Sequence, residues 1–528
     1  MRTNGILMPV FSLPSAYGIG DMGPEAYRFV DFLDKAGQSF WQILPLNPTN
    51  YGDSPYQSFS TFAGNPYFVS PDLLIEDGLL TEDEVDSFDF GDDPEHVNYG
   101  KLYNNRLPML KIAFSRFEGG EDYERFVTEN NEWLDGYALF MTIKNLHQDK
   151  GWTDWEDDYR FRKPEAIERV RCEHADLIDL YKFIQYEFDL QWKALKAYAN
   201  EKMIRIIGDV PIYVAYDSAD VWANPGQFYL DEDLQPVKVA GCPPDAFSED
   251  GQLWGNPLYL WDKMAEGEEP FHWWRKRVAR ALELYDVIRI DHFRGFESYY
   301  TIPYGNKTAA GGKWVKGPGM SLFKAIQADY PGEDLPIIAE DLGFLMPEVK
   351  QLLKDSGFPG MKVLQFAFDS REESDYLPHN FTRNCVAYTG THDNDTIIGW
   401  TQTAAKADVE FAKKYLHANH DEGFNWTMMR AAMMSVADTC VLMMQDFMGL
   451  SSDARINEPA TVGSNWQWRI DGGCINDWLA EIIRDNTKMY GRIPKAKLEA
   501  EKKAEEAAKA KEKAEAENET AESADTEE

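Results

Sequence analysis

Cysteine is scarce in this chain: five residues in 528, at positions 172, 242, 385, 440 and 474, with no C-x-x-C pair. An odd, scattered set of thiols excludes a disulfide framework and a thiolate zinc site, and points to a reducing compartment, the cytoplasm. Long apolar runs are also missing. No stretch approaches the roughly 18 apolar residues of a membrane span, and the opening "MRTNGILMPVFSLPSAYG" is too short and too broken by proline for a signal peptide. Basic residues are in deficit, 53 Lys and Arg against 90 Asp and Glu, for a formal charge of −37. Such a surface repels nucleic acid and anionic lipid, so neither is expected as a partner. No Walker loop and no G-x-S-x-G is present. The one G-x-G-x-x-G, at Gly18, Gly20 and Gly23, follows Pro14 instead of a buried strand and lacks the acid that closes a dinucleotide-binding unit, so it reads as a turn.

What is present is ample core: 44% hydrophobic and 14% aromatic residues. Helix patterns alternate with short apolar runs. Pro24 opens a helix whose apolar face is Ala26, Phe29, Val30, Leu33 and Ala36, followed by "SFWQILPL". Tyr181, Ile184, Phe188, Trp192, Leu195 and Tyr198 recur at helical spacing before "IRIIGDV". Comparable helices precede "VIRI", "PIIAE" and "MKVLQFAF", the last helix stopped by Gly357, and "CVAYTG" and "CVLMMQD" follow. Near-continuous apolar strands are those of a parallel sheet covered by helices on both faces. At least seven helix–strand alternations predict an α/β fold, a (β/α)8 TIM barrel with inserted subdomains. The barrel is expected over 1–494, with insertions at roughly 62–180, a helical subdomain, and 215–271. From 495 to 528 the chain is almost all Ala, Glu and Lys, with seven lysines against twelve acids, and is expected to be a mobile, disordered acidic tail, helical in part, outside the fold.

Four apolar runs end in acids: Asp209, Asp291, Glu340 with Asp341, and His392 with Asp393 and Asp395. In a barrel these strand ends converge on one face, where active sites form. Arg289 and Asp291 are two apart in a strand and should share a face, so the guanidinium would favour an ionised Asp291. Glu340, among further acids, should be shifted the opposite way and keep a proton. One charged and one protonated carboxyl flanking a bond is the equipment of a retaining glycosidase. The spacing of His292, His392, Asp393 and Asp395 suits no zinc motif, and neither a metal nor a cofactor is expected.

The runs "GDVPIYV", "VIRIDHFRGF", "IIAEDLG" and "YTGTHDND" resemble the four signature regions of the α-amylase clan. The flanking "YGDSPYQSFSTFAGNPY", "GCPPDAFSEDGQLWGNPLY", "FPGMKVLQFAFD" and "GSNWQWR" are similar to the 4-α-glucanotransferases of glycoside hydrolase family 77, the amylomaltases, from about Gly5 to about Arg484. The resemblance implies Asp291 as nucleophile, Glu340 as acid/base and Asp393 as a transition-state carboxylate. It implies a glucan groove lined by Tyr56, Asp209, Trp254, Asn256, Arg289, His392, Phe366 and Asn465. Its substrates would be maltooligosaccharides and starch- or glycogen-derived α-glucans, with glucose as acceptor or product. Ala246 departs from the family, where many relatives carry an aromatic, and puts an acceptor-side stacking contact in question. The Gly- and Pro-rich stretch 241–257, with Phe247 and Trp254, is expected to be a lid that favours sugar over water. A hydrolase of the same clan, or an inactive glucan binder, is the alternative reading.

Overall fold

Twelve strands are described in chain order: β1 (Thr3–Leu7), β2 (Phe40–Gln42), β3 (Arg205–Val210), β4 (Lys238–Cys242), β5 (Gln252–Pro257), β6 (Val287–Ile290), β7 (Ser298–Pro303), β8 (Lys313–Lys316), β9 (Ile337–Ala339), β10 (Gly360–Val363), β11 (Cys385–Tyr388) and β12 (Thr439–Met443). Eight of them close into a parallel barrel in the order β1, β12, β11, β10, β9, β6, β3, β2. The computed structural model describes residues 2–50, 52–244, 250–343, 346–419, 421–504, 506, 507, 509 and 511. All seven apolar runs read from the sequence contain barrel strands. The eighth strand, β1, is not among them. It joins β2 to β12, yet its five residues include the polar Asn4 and a glycine that breaks the apolar run. Both are there for packing. Asn4 is buried and donates to Gln38 at 3.2 Å, and a Cβ on Gly5 would stand 2.6 Å from that of Phe40.

The helices form where the apolar spacing demands a covered face. In Pro24–Lys35, Ala26, Phe29, Val30 and Leu33 are all buried. In the 27-residue Ala175–Glu201, Tyr181, Ile184, Phe188, Trp192 and Leu195 are buried, and the Trp192 indole donates to the carbonyl of Leu284 at 2.8 Å. That bond satisfies the one polar atom of a fully buried ring and ties this helix to His272–Leu284, the helix before β6. Helix Pro347–Ser356 stops at Gly357, in the left-handed region at φ 72°. Between β2 and β3, helices such as Tyr99–Phe114, Asn131–Leu146 and Pro164–Glu173 pack on Ala175–Glu201, with the Phe114 and Phe183 rings 5.5 Å apart.

A second, antiparallel sheet in the order β5, β4, β7, β8 is built from the loops that follow β3 and β6. It therefore rises from the C-terminal mouth of the barrel. The G-x-G-x-x-G stretch lies between β1 and helix Pro24–Lys35, after a 3-10 turn, Val10–Ser12. Its glycines serve close backbone approach: a Cβ on Gly20 would lie 2.0 Å from the Val10 carbonyl, and one on Gly18, whose φ is 76°, 2.2 Å from that of Phe90.

The boundary placed at 495 needs correction. Residues 495–504 are helical, and Lys497 is only 1% exposed. Its ammonium donates to the carbonyls of Gln38 at 3.0 Å and Lys202 at 3.2 Å and pairs with Asp34 at 2.8 Å. Arg484 holds Glu501 at 2.6 Å. The start of the tail is thus docked under the barrel, at the loops entering β2 and β3. Replacing Lys497 with Met would leave two carbonyls and a carboxylate without their cation. The expected cost is about 1–3 kcal/mol, read as a lower melting temperature by circular dichroism; an unchanged temperature would contradict the docking.

Candidate active site

The barrel register assembles the charged centre. Asp209 is the partner of Arg289 across β3 and β6, and Ile290 that of Ala339 across β6 and β9. One residue beyond those ends, Asp291 and Glu340 stand at the same level on neighbouring strands. Parallel partners project to the same side of the sheet, so all four side chains gather at the mouth. Arg289 is 2% exposed and bridges two acids: Nη1 donates to Asp209 Oδ2 at 2.5 Å and Nη2 to Asp291 Oδ1 at 2.8 Å. The phenol of Tyr56 donates to the same Asp209 oxygen at 2.9 Å. Burial raises the Asp209 carboxyl above its usual range even with Arg289 beside it.

Glu340 is held by backbone. His292, the residue after Asp291, sits in the left-handed region at φ 53°, a conformation uncommon for a residue with a side chain and typical of sites where backbone groups must be aimed. Its N–H donates to Glu340 Oε2 at 2.8 Å, and the N–H of Leu342 donates to Oε1 at 2.7 Å. Burial, and then the charge of Asp291, push Glu340 up to about 7, against the pull of Arg289 and the two N–H groups. The sequence pointed to a neighbouring carboxylate as the cause; desolvation is the larger one. Burial also lowers the His292 imidazole to about 4, so it is neutral near pH 7. The Trp254 ring meets it edge-on, 4.9 Å between centroids at 90°.

Asp393 lies on the loop between β11 and helix Ile397–Thr403. Its Oδ2 is 3.3 Å from His392 Nε2, and its Oδ1 accepts from Asn457 Nδ2 at 2.6 Å. Burial would raise this carboxyl, but the charge and hydrogen bond of His392, with Asn457, hold it well below the usual range. Asp393 in turn raises His392 against burial. The Tyr56 ring lies flat over His392, 5.1 Å apart at 17°, with Trp466 beside both at 5.9 and 6.1 Å.

A barrel mouth carrying one carboxylate paired with arginine, one carboxyl that titrates near neutrality and a third carboxylate on an aromatic-lined wall has the parts for acetal chemistry. Residues 8–475 match the family of the 4-α-glucanotransferases, glycoside hydrolase family 77. The chain belongs to that family. It is 50% identical over 489 residues to the 4-α-glucanotransferase of Clostridium butyricum, covering 92% of this chain and 100% of the relative. The corresponding enzyme of Streptococcus pneumoniae is 48% identical over 497 residues, covering 93% and 98%. Among solved structures, amylomaltase from Streptococcus agalactiae in complex with acarbose superposes with a TM-score of 0.90 at 42% identity, over 93% of this chain and 100% of that one. Amylomaltase from Corynebacterium glutamicum, 19% identical with a TM-score of 0.73 over 94% of this chain and 75% of that one, shares the fold.

The remaining residues that the family resemblance points to are placed variously. Asn256 is buried with both amide atoms engaged by protein: Nδ2 donates to the Val214 carbonyl at 2.8 Å and Oδ1 accepts from Gln57 at 3.2 Å. Phe366 is 43% exposed and meets Tyr376 edge-on at 5.8 Å. Tyr376 accepts the N–H of Gly343, just after Glu340, at 3.0 Å. Asn465 fastens its own loop, accepting from the Glu458 N–H at 2.9 Å and donating to the Thr461 carbonyl at 3.1 Å. Asp341 is structural: its Oδ1 accepts the Met361 N–H of β10 at 2.6 Å. Ala246 and Phe247 lie outside the described residues.

Sequence reasoning missed Asn457 and Arg455, which fix Asp393 through its carboxylate and, at 2.8 Å, its carbonyl. Their one signal was position, a polar "ARINEP" shortly after the last barrel strand.

The Glu340 shift has a sign that can be tested. The proton stays on in the folded state up to about 7 against an ordinary value of 4.5. The folded state therefore binds the extra proton across that window, and this group makes folding less favourable as pH rises through it. Carbon-13 NMR should find a glutamate titrating near pH 7 that disappears in Glu340→Gln and moves to lower pH in Asp291→Asn. A midpoint unmoved by removing the Asp291 charge would contradict the coupling of the two acids.

Proposed function

We propose that this chain transfers segments of α-1,4-linked glucan to the 4-hydroxyl of an acceptor glucose or glucan, with retention of configuration, through a covalent β-glucosyl ester on Asp291. The observation that carries this reading is the joint arrangement of Asp291 and Glu340: one acid against Arg289, its neighbour raised to about 7 and clasped by the His292 N–H.

In the first step, the Asp291 oxygen not held by Arg289 attacks the anomeric carbon. The glycosidic C–O bond breaks, its electron pair leaves on the 4-oxygen, and Glu340 delivers its proton there. In the second step, ionised Glu340 takes the proton from an acceptor 4-hydroxyl, whose oxygen displaces Asp291 and re-forms the α-bond. One group must act as acid and then as base, and a carboxyl balanced near 7 has both forms accessible. Asp393, kept ionised by His392 and Asn457, holds the 2- and 3-hydroxyls through contacts that strengthen as the ring flattens. Tyr56, His392 and Arg289 brace the sugar at the cleavage point, and Trp254, Asn256, Phe366 and Asn465 line the groove beyond.

Water is the competing acceptor. Trp254, carried on β5 edge-on against His292, shields the reacting atoms and favours sugar over water. The substrates are neutral maltooligosaccharides and starch- or glycogen-derived glucans, with glucose as acceptor or product, for which a surface of charge −37 is no obstacle. The place of action is the cytoplasm, in keeping with five scattered cysteines and no C-x-x-C pair.

Incubation with maltotriose alone should yield glucose together with a ladder of longer glucans and little increase in reducing ends. Asp291→Asn should lose turnover, by at least about four orders of magnitude, with an unchanged circular dichroism spectrum. Stoichiometric new reducing ends would make the chain a hydrolase, and activity retained in Asp291→Asn would overturn the nucleophile assignment.

A further inference from the structure

Asp446 takes no part in the chemistry described above, yet it is buried at 1% exposure directly after β12, in the short helix Met444–Met448. Its carboxylate spans two separate elements. Oδ2 accepts from the hydroxyl of Thr389 at 2.8 Å, and Oδ1 accepts from the N–H of Ile397 at 2.8 Å. Thr389 is the first residue after β11, and Ile397 the first of helix Ile397–Thr403. The eight residues from Thr389 to Thr396 include His392 and Asp393, so both ends of this loop rest on one side chain.

The surroundings make that clasp rigid. Asn425 Nδ2 donates to the Asp446 carbonyl at 2.8 Å. Gln365 donates to the Thr389 carbonyl through its backbone N–H and to the Asp395 carbonyl through its amide, at 3.1 and 2.6 Å. The Asp395 carboxylate accepts from Ser452 at 2.7 Å, at the head of the segment whose Arg455 and Asn457 grip Asp393. The residue next to Asp446, Gln445, donates to the Ala454 carbonyl at 3.1 Å. Asp446 therefore stands at the root of both segments that fix Asp393, and touches neither Asp393 nor the reacting atoms.

We propose that Asp446 is a positioning residue for glucan transfer: its two oxygens set the span of the 389–396 loop and thereby the placement of His392 and Asp393 against the sugar ring. This rests on the role given to Asp393 above. Because that contact is made most strongly in the transition state, slackening the loop should lower kcat and leave KM nearly unchanged.

The test is steady-state transfer from maltotriose by the full chain, per folded molecule and well below each variant's melting temperature. Asp446→Ala should lower kcat on the order of 10- to 100-fold, the penalty typical of slight misplacement, with KM within about threefold. Asp446→Asn should recover most of that loss, because its amide oxygen still accepts from Ile397 and its NH2 can donate to the Thr389 hydroxyl. Thr389→Val, which removes one arm at constant shape, should lower kcat by less, and the double variant should be no worse than Asp446→Ala.

Native kcat in Asp446→Ala, with or without a lower melting temperature, would overturn the proposal, as would an Asp446→Asn no better than Ala. If Asp446→Ala does not fold, Thr389→Val decides, and native kcat there overturns the clasp. Asp393→Asn separates the two levels. Native activity in it removes the role of Asp393 and the proposal with it, whereas loss of activity in it beside a fully active Asp446→Ala removes the clasp alone.

Discussion

The site depends on a single guanidinium inside the barrel. Arg289 has two buried or half-buried carboxylates as its partners, Asp209 at 2.5 Å and Asp291 at 2.8 Å, and one positive charge cannot neutralise both. Burial of Glu340, and then the charge of Asp291 beside it, disfavour a further ionised acid in this corner, so Glu340 keeps its proton up to about 7. The division of labour between two chemically similar acids is therefore imposed by where the one arginine reaches. That reach is set by the parallel register, which places Asp209 and Arg289 side by side and brings Asp291 and Glu340 out on the same level.

Backbone geometry supplies the counterweight. The left-handed turn at His292 lets the residue after Asp291 donate to Glu340, so the two acids are fixed relative to each other through one peptide. The two N–H groups oppose burial and keep Glu340 from becoming a permanently neutral acid. Asp393 is treated the other way: the imidazole of His392 and the amide of Asn457 outweigh desolvation and hold it well below the usual range. Glu340 and Asp393, on one barrel face, thus shift in opposite directions, each for causes found in its nearest neighbours.

Much of this was legible in the sequence because the signals are local. Seven apolar runs, four of them ending in acids, marked seven of the eight barrel strands, and the two-residue spacing of Arg289 and Asp291 foretold a shared face. The misses are non-local. Strand β1 hides behind Asn4 and Gly5, whose use becomes visible only when Gln38 and Phe40 are packed against them. Strand β8, "KWVK", is exposed along its length and carries no buried face to betray it. Asn457 reaches Asp393 across 64 positions in the chain, and no periodicity encodes such a pair. The docked Lys497 lies in an Ala, Glu and Lys tract whose composition cannot distinguish a solvated helix from one with a single buried ammonium.

The central claim is that Asp291 becomes covalently attached to the sugar. It is tested most directly by incubating the protein with an α-glucosyl fluoride carrying a second, ring-deactivating fluorine, followed by peptide mapping by mass spectrometry. One glucosyl adduct is expected, on the peptide that includes Asp291, released when maltose is added as acceptor. An adduct on any other carboxylate, or slow turnover of the reagent with no adduct at all, would contradict it.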